Sequence, residues 1–305
     1  MDRRNCLQMA WLLGVAGVAG CSVPMQPTAS PPNRWQQALA QLEAQSGGRL
    51  GIYAQQWNTP SFLAYRSDER FPMCSTFKSL LAAQVLDLAG QGALDLAHTV
   101  RYSRQVLVPY SPLTQLHADG AGMTVQALCE ATVTMSDNTA ANLLLQLQGG
   151  PAGLTQWLRA VGDDDTRLDR YEPDLNTALP GDVRDTTTPQ AMAGCMLGLM
   201  QPGPEAWLQP PEQALLQQWL LASPTGAKRL RAGMPQGWKV GGKTGSGVRG
   251  TAHDVVVVWP QPGTAPLVVA AYLTGAQAVD DAARDAILAE AGSVVAQWWQ
   301  HQQAA

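Results

Sequence analysis

Ser75 and Lys78 stand three positions apart in Ser75-Thr76-Phe77-Lys78, a spacing that stacks their side chains one turn apart on one face of a helix. A serine hydroxyl becomes a nucleophile when a base takes its proton, and a neighbouring amine can be that base or a relay. A helix N-terminus at this point adds unpaired N–H groups and positive potential where an oxyanion would form. Taken alone, the tetrapeptide also reads as an ordinary helix cap followed by a lysine. Three further segments carry polar groups in suggestive order: Ser136-Asp137-Asn138, Glu172-Pro173-Asp174-Leu175-Asn176 and Lys243-Thr244-Gly245-Ser246. Each has a bland alternative, respectively a turn or cap, a solvated loop carboxylate and a sheet edge where glycine lets backbones approach.

Their combined order decides between these readings. S-x-x-K, S-D-N and K-T-G together form the signature of class A β-lactamases and penicillin-binding proteins. The Glu172 segment matches the E-x-x-L-N loop of the class A enzymes, which penicillin-binding proteins lack. From about Trp35 to the C-terminal helix the chain therefore resembles the class A serine β-lactamases. The resemblance implies Ser75 as nucleophile, Lys78 as proton acceptor or relay, and Ser136 as donor to the departing ring nitrogen. It gives Glu172 and Asn176 the deacylating water, and leaves open whether Lys78 or Glu172 activates Ser75. Backbone N–H groups of Ser75 and Ser246 would form the oxyanion hole. Asn138 would meet the substrate amide, Tyr110 would flank the mouth of the site, Lys243, Thr244 and Ser246 would receive the substrate carboxylate, and Gly245 between them would also bind substrate. Arg170 and Asp185 resemble the ion pair that closes the Glu172 loop. No cofactor and no metal is implied. A cell-wall D,D-peptidase and a non-hydrolysing β-lactam sensor are the rival readings, and neither needs Glu172 and Asn176.

Two departures from the family pattern matter. Ala252 stands where many members carry a carboxylate-binding arginine, and Arg229 matches the alternative arginine of others. Cys129 matches half of a bridge whose other position is Ala82 here, and Cys74 faces Gly247 where carbapenem-hydrolysing members have a second cysteine. All three body cysteines, Cys74, Cys129 and Cys195, are thus expected as buried free thiols acting as small apolar residues. The run from Lys243 to Gly247, with Thr251, Asp254 and Trp259-Pro260, resembles members active on oxyimino-cephalosporins, and an unpaired Cys74 argues against strong carbapenem hydrolysis.

The elements that must position these groups follow from periodicity. Residues 50–57 and 62–65 read as hairpin strands after a helix over 35–45. Apolar residues at three- and four-residue steps predict helices at 75–90, 125–147, 151–161, 189–200 and 211–222. Strand signals return at 238–246, 252–259 and 267–273, before a helix over 280–302 whose Ile287, Val294 and Trp298 mark a buried stripe. Strands at both ends with helices between predict an α/β fold of two lobes, an antiparallel sheet flanked by helices plus an inserted all-helical lobe. The expected division is 33–67 with 219–305 for the α/β lobe and 68–218 for the helical lobe, the site lying between them.

Bulk properties narrow the partners. A net charge of -4 and 6% aromatic residues leave neither a basic stripe nor stacking platforms for nucleic acid. Four histidines and five cysteines show no metal-ligand spacing. Arg3 and Arg4 precede an uncharged run from Met9 to Gly20, the layout of an export signal. The run ends in Val18-Ala19-Gly20-Cys21, which resembles a bacterial lipobox and would make residues 1–21 a leader with Cys21 lipidated, 22–32 forming a tether. Ordinary cleavage without lipid is the alternative. The expected location is the periplasm, with an outer-membrane anchor if Cys21 is acylated, and the expected state a monomer.

Overall fold

The computed structural model describes residues 33–203 and 206–304, and the leader, Cys21 and the tether lie outside the described residues. Asn33–Ala305 makes one compact unit. Its strands are β1 (Arg49–Gln56), β2 (Phe62–Tyr65), β3 (Phe71–Pro72), β4 (Thr99–Val100), β5 (Met123–Thr124), β6 (Thr186–Thr187), β7 (Lys239–Gly247), β8 (Thr251–Trp259) and β9 (Leu267–Thr274). Its helices are α1 (Arg34–Ser46), α2 (Phe77–Gly90), α3 (Val125–Thr134), α4 (Asn138–Leu147), α5 (Gly150–Ala160), α6 (Pro189–Met200), α7 (Pro210–Ala222) and α8 (Asp281–Ala304).

Five strands form one antiparallel sheet in the order β2-β1-β9-β8-β7, so the early strand β1 pairs with the late strand β9. Both faces are covered. Leu50, Ile52, Val256, Val258, Val269 and Leu273 point toward Leu39, Leu42, Leu288, Val295 and Trp299 of α1 and α8. The alternate residues Tyr53, Val255, Val257, Val268 and Tyr272 join the core of the helices between β2 and β7. Burial of both faces is why 255–258 is four consecutive valines rather than an alternating pattern. Strand β7 is left at the sheet edge, with its Gly241 against Leu220 and Leu221 of α7 and its Gly245 against the turn before α2.

The structure departs from the periodicity reading in three places. The expected helix over 125–147 is two helices, because Ser136 takes a left-handed backbone (φ 58) and Asp137 caps α4, accepting from Ala140 N–H. Ser75 is not in the α-helix itself but in a 3-10 turn, Cys74–Thr76, immediately before α2. The buried stripe of α8 runs through Ile287, Leu288, Ala291, Val295, Trp298 and Trp299, leaving Val294 only partly covered. No helix of the described residues is long and apolar enough to cross a membrane.

Candidate active site

Helix α2 is buried along Phe77–Leu86 and holds its first turn rigidly in the middle of the molecule. The nucleophile turn ahead of it is pinned from three sides. Met73 N–H donates to Asp185 O (2.8 Å), Thr76 Oγ1 to Met73 O (2.9 Å), and the Tyr272 hydroxyl from β9 meets Thr76 Oγ1 at 3.0 Å. Cys74 sits at φ 45, a region that costs a non-glycine residue about 1–3 kcal/mol and persists only where surroundings enforce it. That kink lets Gly245 of β7 pass so close that a Cβ there would lie 2.8 Å from Met73 O.

Lys78 Nζ, fully buried, lies 2.9 Å from Glu172 Oε1, 2.9 Å from Ser136 O and 2.5 Å from Asn138 Oδ1. Ser75 Oγ is 3.4 Å from the same Glu172 Oε1. Ser136 Oγ bridges two ammonium groups, 3.5 Å from Lys78 Nζ and 2.9 Å from Lys243 Nζ. Burial drives the Lys78 amine below its ordinary pKa, opposed by the Glu172 carboxylate. Lys243 is driven well below its ordinary value by burial and by the Lys78 charge. Both amines are therefore readier to release a proton than free lysines.

The S-D-N segment is held by Asp137, whose buried carboxylate accepts from Leu113 N–H, Thr114 N–H and the Thr114 hydroxyl at 2.8–2.9 Å. Asn138 Nδ2 donates to Pro109 O (2.8 Å) and Asn138 N–H to Tyr110 O (2.9 Å). Tyr110 is thereby fixed by its backbone while the residue as a whole is 62% exposed at the rim.

Across the cleft, Glu172 is gripped by its backbone. Asn142 of α4 accepts from Glu172 N–H and donates to Glu172 O, both at 2.9 Å. Asn176 Nδ2 donates to Glu172 Oε2 at 2.5 Å, and Asn176 Oδ1 is buried with no protein partner among the described residues. The loop is closed by Arg170 Nε and Asp185 Oδ2 at 2.5 Å, Asp185 being fully buried and also accepting from Asp169 and Arg170 N–H groups. Asp185 is thus sealed while the Arg170 guanidinium keeps some exposure to solvent.

Arg229 reaches the edge of β7 from the segment after α7. Its Nη2 donates to Ser246 Oγ (2.9 Å), its Nη1 to Gly245 O and His253 O, and its Nε to Asp285 (2.7 Å). Thr244 Oγ1 donates to Thr225 Oγ1 at 2.9 Å. Ser75, Tyr110, Ser136, Asn138, Asn176, Thr225, Arg229, Thr244 and Ser246 line one cavity of about 490 Å³. A larger cavity of about 740 Å³, around Asp163 and Trp207, holds none of these groups, so chemistry rather than size marks the site.

The Beta-lactamase enzyme family model matches residues 34–299. Beta-lactamase AST-1 of Nocardia asteroides is 48% identical over 258 residues, covering 84% of this chain and 81% of its own. The chain belongs to the class A serine β-lactamases. Carbapenem-hydrolyzing beta-lactamase KPC of Klebsiella oxytoca is 45% identical over 83% of this chain and 85% of its own. The solved class A β-lactamase of the last common ancestor of Gram-negative bacteria superposes with a TM-score of 0.84 at 52% identity, covering 88% of this chain and all (100%) of that one. Hydrolysis of β-lactams, and with it resistance to them, is the activity of this enzyme.

Every catalytic and substrate-binding residue expected from the sequence of this β-lactamase falls around the one cleft, with the Arg170–Asp185 pair at the base of its loop, while the expected lipidation site Cys21 lies outside the described residues. Asn142 and Thr225 were missed. Asn142 had a signal, a polar residue four after Asn138 in the apolar run of α4, whereas Thr225 had none. Cys74, Cys129 and Cys195 are free and buried. Cys195 differs from the expected apolar filler, because its Sγ donates to Asp163 Oδ2 at 3.1 Å. A Cβ on Gly247 would lie 2.7 Å from Cys74 Sγ, so the two positions are in contact as expected.

Proposed function

We propose that Ser75 opens the β-lactam ring as nucleophile and that Glu172, with Asn176, directs the water that frees it. The observation that carries this reading is the shared oxygen of Glu172, within reach of both Ser75 Oγ and Lys78 Nζ. Proton flow from Ser75 can pass to Glu172 or Lys78 and on through Ser136, whose hydroxyl lies between two lysines, to the departing ring nitrogen. The unpartnered Asn176 Oδ1 and Glu172 carboxylate offer two acceptors to the deacylating water. Backbone N–H groups of Ser75 and Ser246 serve the oxyanion, where one donor is worth about 2.7–4 kcal/mol of barrier. Lys243, Thr244, Ser246 and Arg229 receive the ring carboxylate, and Asn138 with Gly245 and Tyr110 aligns the rest of the substrate. Acid-quenching the reaction and mapping the peptides should place the substrate mass on Ser75. An adduct on any other residue refutes the assignment.

We further propose penicillins, cephalosporins and oxyimino-cephalosporins as substrates, supported by the segment from Lys243 to Gly247, with carbapenems poor ones because Cys74 has Gly247 opposite it. The enzyme acts as a monomer exported to the periplasm, with lipidated Cys21 as its outer-membrane anchor. Mass spectrometry of protein from its native host should show an acylated Cys21, and an unmodified N-terminus would exclude the anchor. Stable attachment needs more than one acyl chain.

A further inference from the structure

Asp254 is fully buried on β8, register partner of Thr244 on β7. Its Oδ2 accepts from the backbone N–H of Leu230 at 3.1 Å, the residue directly after Arg229. Its Oδ1 is buried with no hydrogen-bond partner among the described residues. No substrate role in the reading above uses it. A buried carboxylate oxygen without a donor is unfavourable, so a fold that keeps one invites a functional reason.

The geometry points to Asp254 as a positioning residue of the carboxylate-binding wall, holding the Arg229 turn against Thr244 and Ser246 from behind. The inference rests on the assignment of Arg229 to the substrate carboxylate. Arg229 begins the 3-10 turn Leu230–Gly233, and Leu230 is fully buried, so the one side-chain acceptor for Leu230 N–H fixes where the guanidinium leaves the backbone. The same carboxylate packs against the segment leading into that turn, since a Cβ on Gly226 would lie 3.3 Å from Oδ1, 3.4 Å from Oδ2 and 3.5 Å from Thr244 Cγ2. Gly226 O in turn accepts from Arg229 N–H at 3.1 Å. Gly226, Leu230 and the register partner Thr244 thus surround one buried side chain, with Thr225 bonded to Thr244 beside it. Burial pushes the Asp254 carboxyl up to about 7, and Arg229 is the foremost group drawing it back, ahead of Leu230 N–H, Arg231 and Lys243. Asp285 holds only the guanidinium end of Arg229, by its Nε.

The test compares a penicillin with its methyl ester, which lacks the negative charge, on wild type, Arg229→Ala, Asp254→Ala, the double variant and Gly226→Ala. Asp254→Ala should raise KM for the acid by about five- to tenfold, leaving kcat and the ester KM within about twofold. The double variant should lose no more than Arg229→Ala alone, because the two residues act as one unit. Gly226→Ala crowds the carboxylate without removing it, and should give the same acid-selective rise at smaller size even if Asp254→Ala fails to fold. If Arg229→Ala affects acid and ester alike, both the Arg229 assignment and this inference fall. If Arg229→Ala discriminates while the Asp254 and Gly226 variants do not, or if the losses multiply in the double variant, this inference alone falls.

Discussion

Lys78 Nζ and Glu172 Oε1 meet at 2.9 Å with both side chains wholly sealed from solvent. Removing one partner of such a pair leaves a buried charge uncompensated. Lys78→Ala should therefore disable more than the amine's own proton transfer, cutting the acylation rate by at least about 10³-fold, the upper part of the range for general acid–base groups. Single-turnover kinetics with a chromogenic cephalosporin measures this. A loss below tenfold would mean that Glu172 alone activates Ser75.

Asn142 holds Glu172 by both backbone groups, so it acts on where the carboxylate points and not on its chemistry. Each bond is worth about 0.5–1.5 kcal/mol. Asn142→Ala should slow deacylation by about 10- to 100-fold and acylation much less, appearing as a burst of product followed by a slow phase. Equal slowing of both steps would contradict the positioning role.

The Arg170–Asp185 pair is buried at the aspartate and partly open at the arginine. Asp185→Ala takes away the closest partner of the guanidinium, leaving it Thr177 and the more distant Asp182, removes the acceptor of two loop N–H groups, and should cost about 3 kcal/mol of stability, the lower end for a broken buried pair. Arg170→Ala should cost less, because those two N–H groups still serve Asp185. Hydrogen exchange should rise from Asp169 to Thr177 in both. Protection unchanged there would show the pair does not close the loop.

Acid stability should reflect two buried groups of opposite sign. His253 packs on Tyr272 with ring centroids 4.7 Å apart, and burial, then Arg229, lower its pKa to about 3 from an ordinary 6.5. As pH falls below 6.5 the unfolded chain gains this proton and the folded chain refuses it. Stability is therefore lost toward about pH 3, at up to about 1.4 kcal/mol per pH unit. Asp254, raised to about 7 from 3.8, is protonated first in the folded chain, so it adds stability as pH falls from about 7 to 4. The two offset each other in wild type. His253→Asn keeps an acceptor for Leu273 N–H and should leave the Asp254 effect bare, so urea melts should show it gaining stability between pH 6.5 and 4.5 relative to its own neutral value. A slope equal to that of wild type would contradict a neutral His253.

The catalytic residues were legible because each chemistry-bearing motif is short, contiguous and ordered along the chain. The sheet was legible from Leu50, Ile52 and the 252–259 run, whose burial on both faces leaves an unbroken apolar segment. The break between α3 and α4 was hidden because apolar spacing continues across it. The turn depends on Ser136 adopting a left-handed backbone, and the Asp137 carboxylate beside it, besides capping α4, is held by residues 113–114, far away in sequence. The weld of Met73 to Asp185 is equally long-range, as are the Asn142 clamp on Glu172 and the Asp254 contact behind Arg229. Local pattern can mark a residue, as the polar Asn142 stands out in the apolar run of α4, but carries no trace of the distant group it meets.

The most direct test of the account is the fate of the acyl-enzyme in Glu172→Ala. Ser75 keeps Lys78 as a base in this variant, and loss of the neighbouring carboxylate removes the largest charge that holds the Lys78 proton on. Acylation should continue, while water near Asn176 has lost its activating group. Intact-protein mass spectrometry after mixing with a penicillin should show one long-lived adduct per chain in Glu172→Ala. Wild type should return to its free mass within seconds after many turnovers. Free Glu172→Ala protein that still turns over at the wild-type rate, or wild type that stops at one stable adduct, would contradict the mechanism.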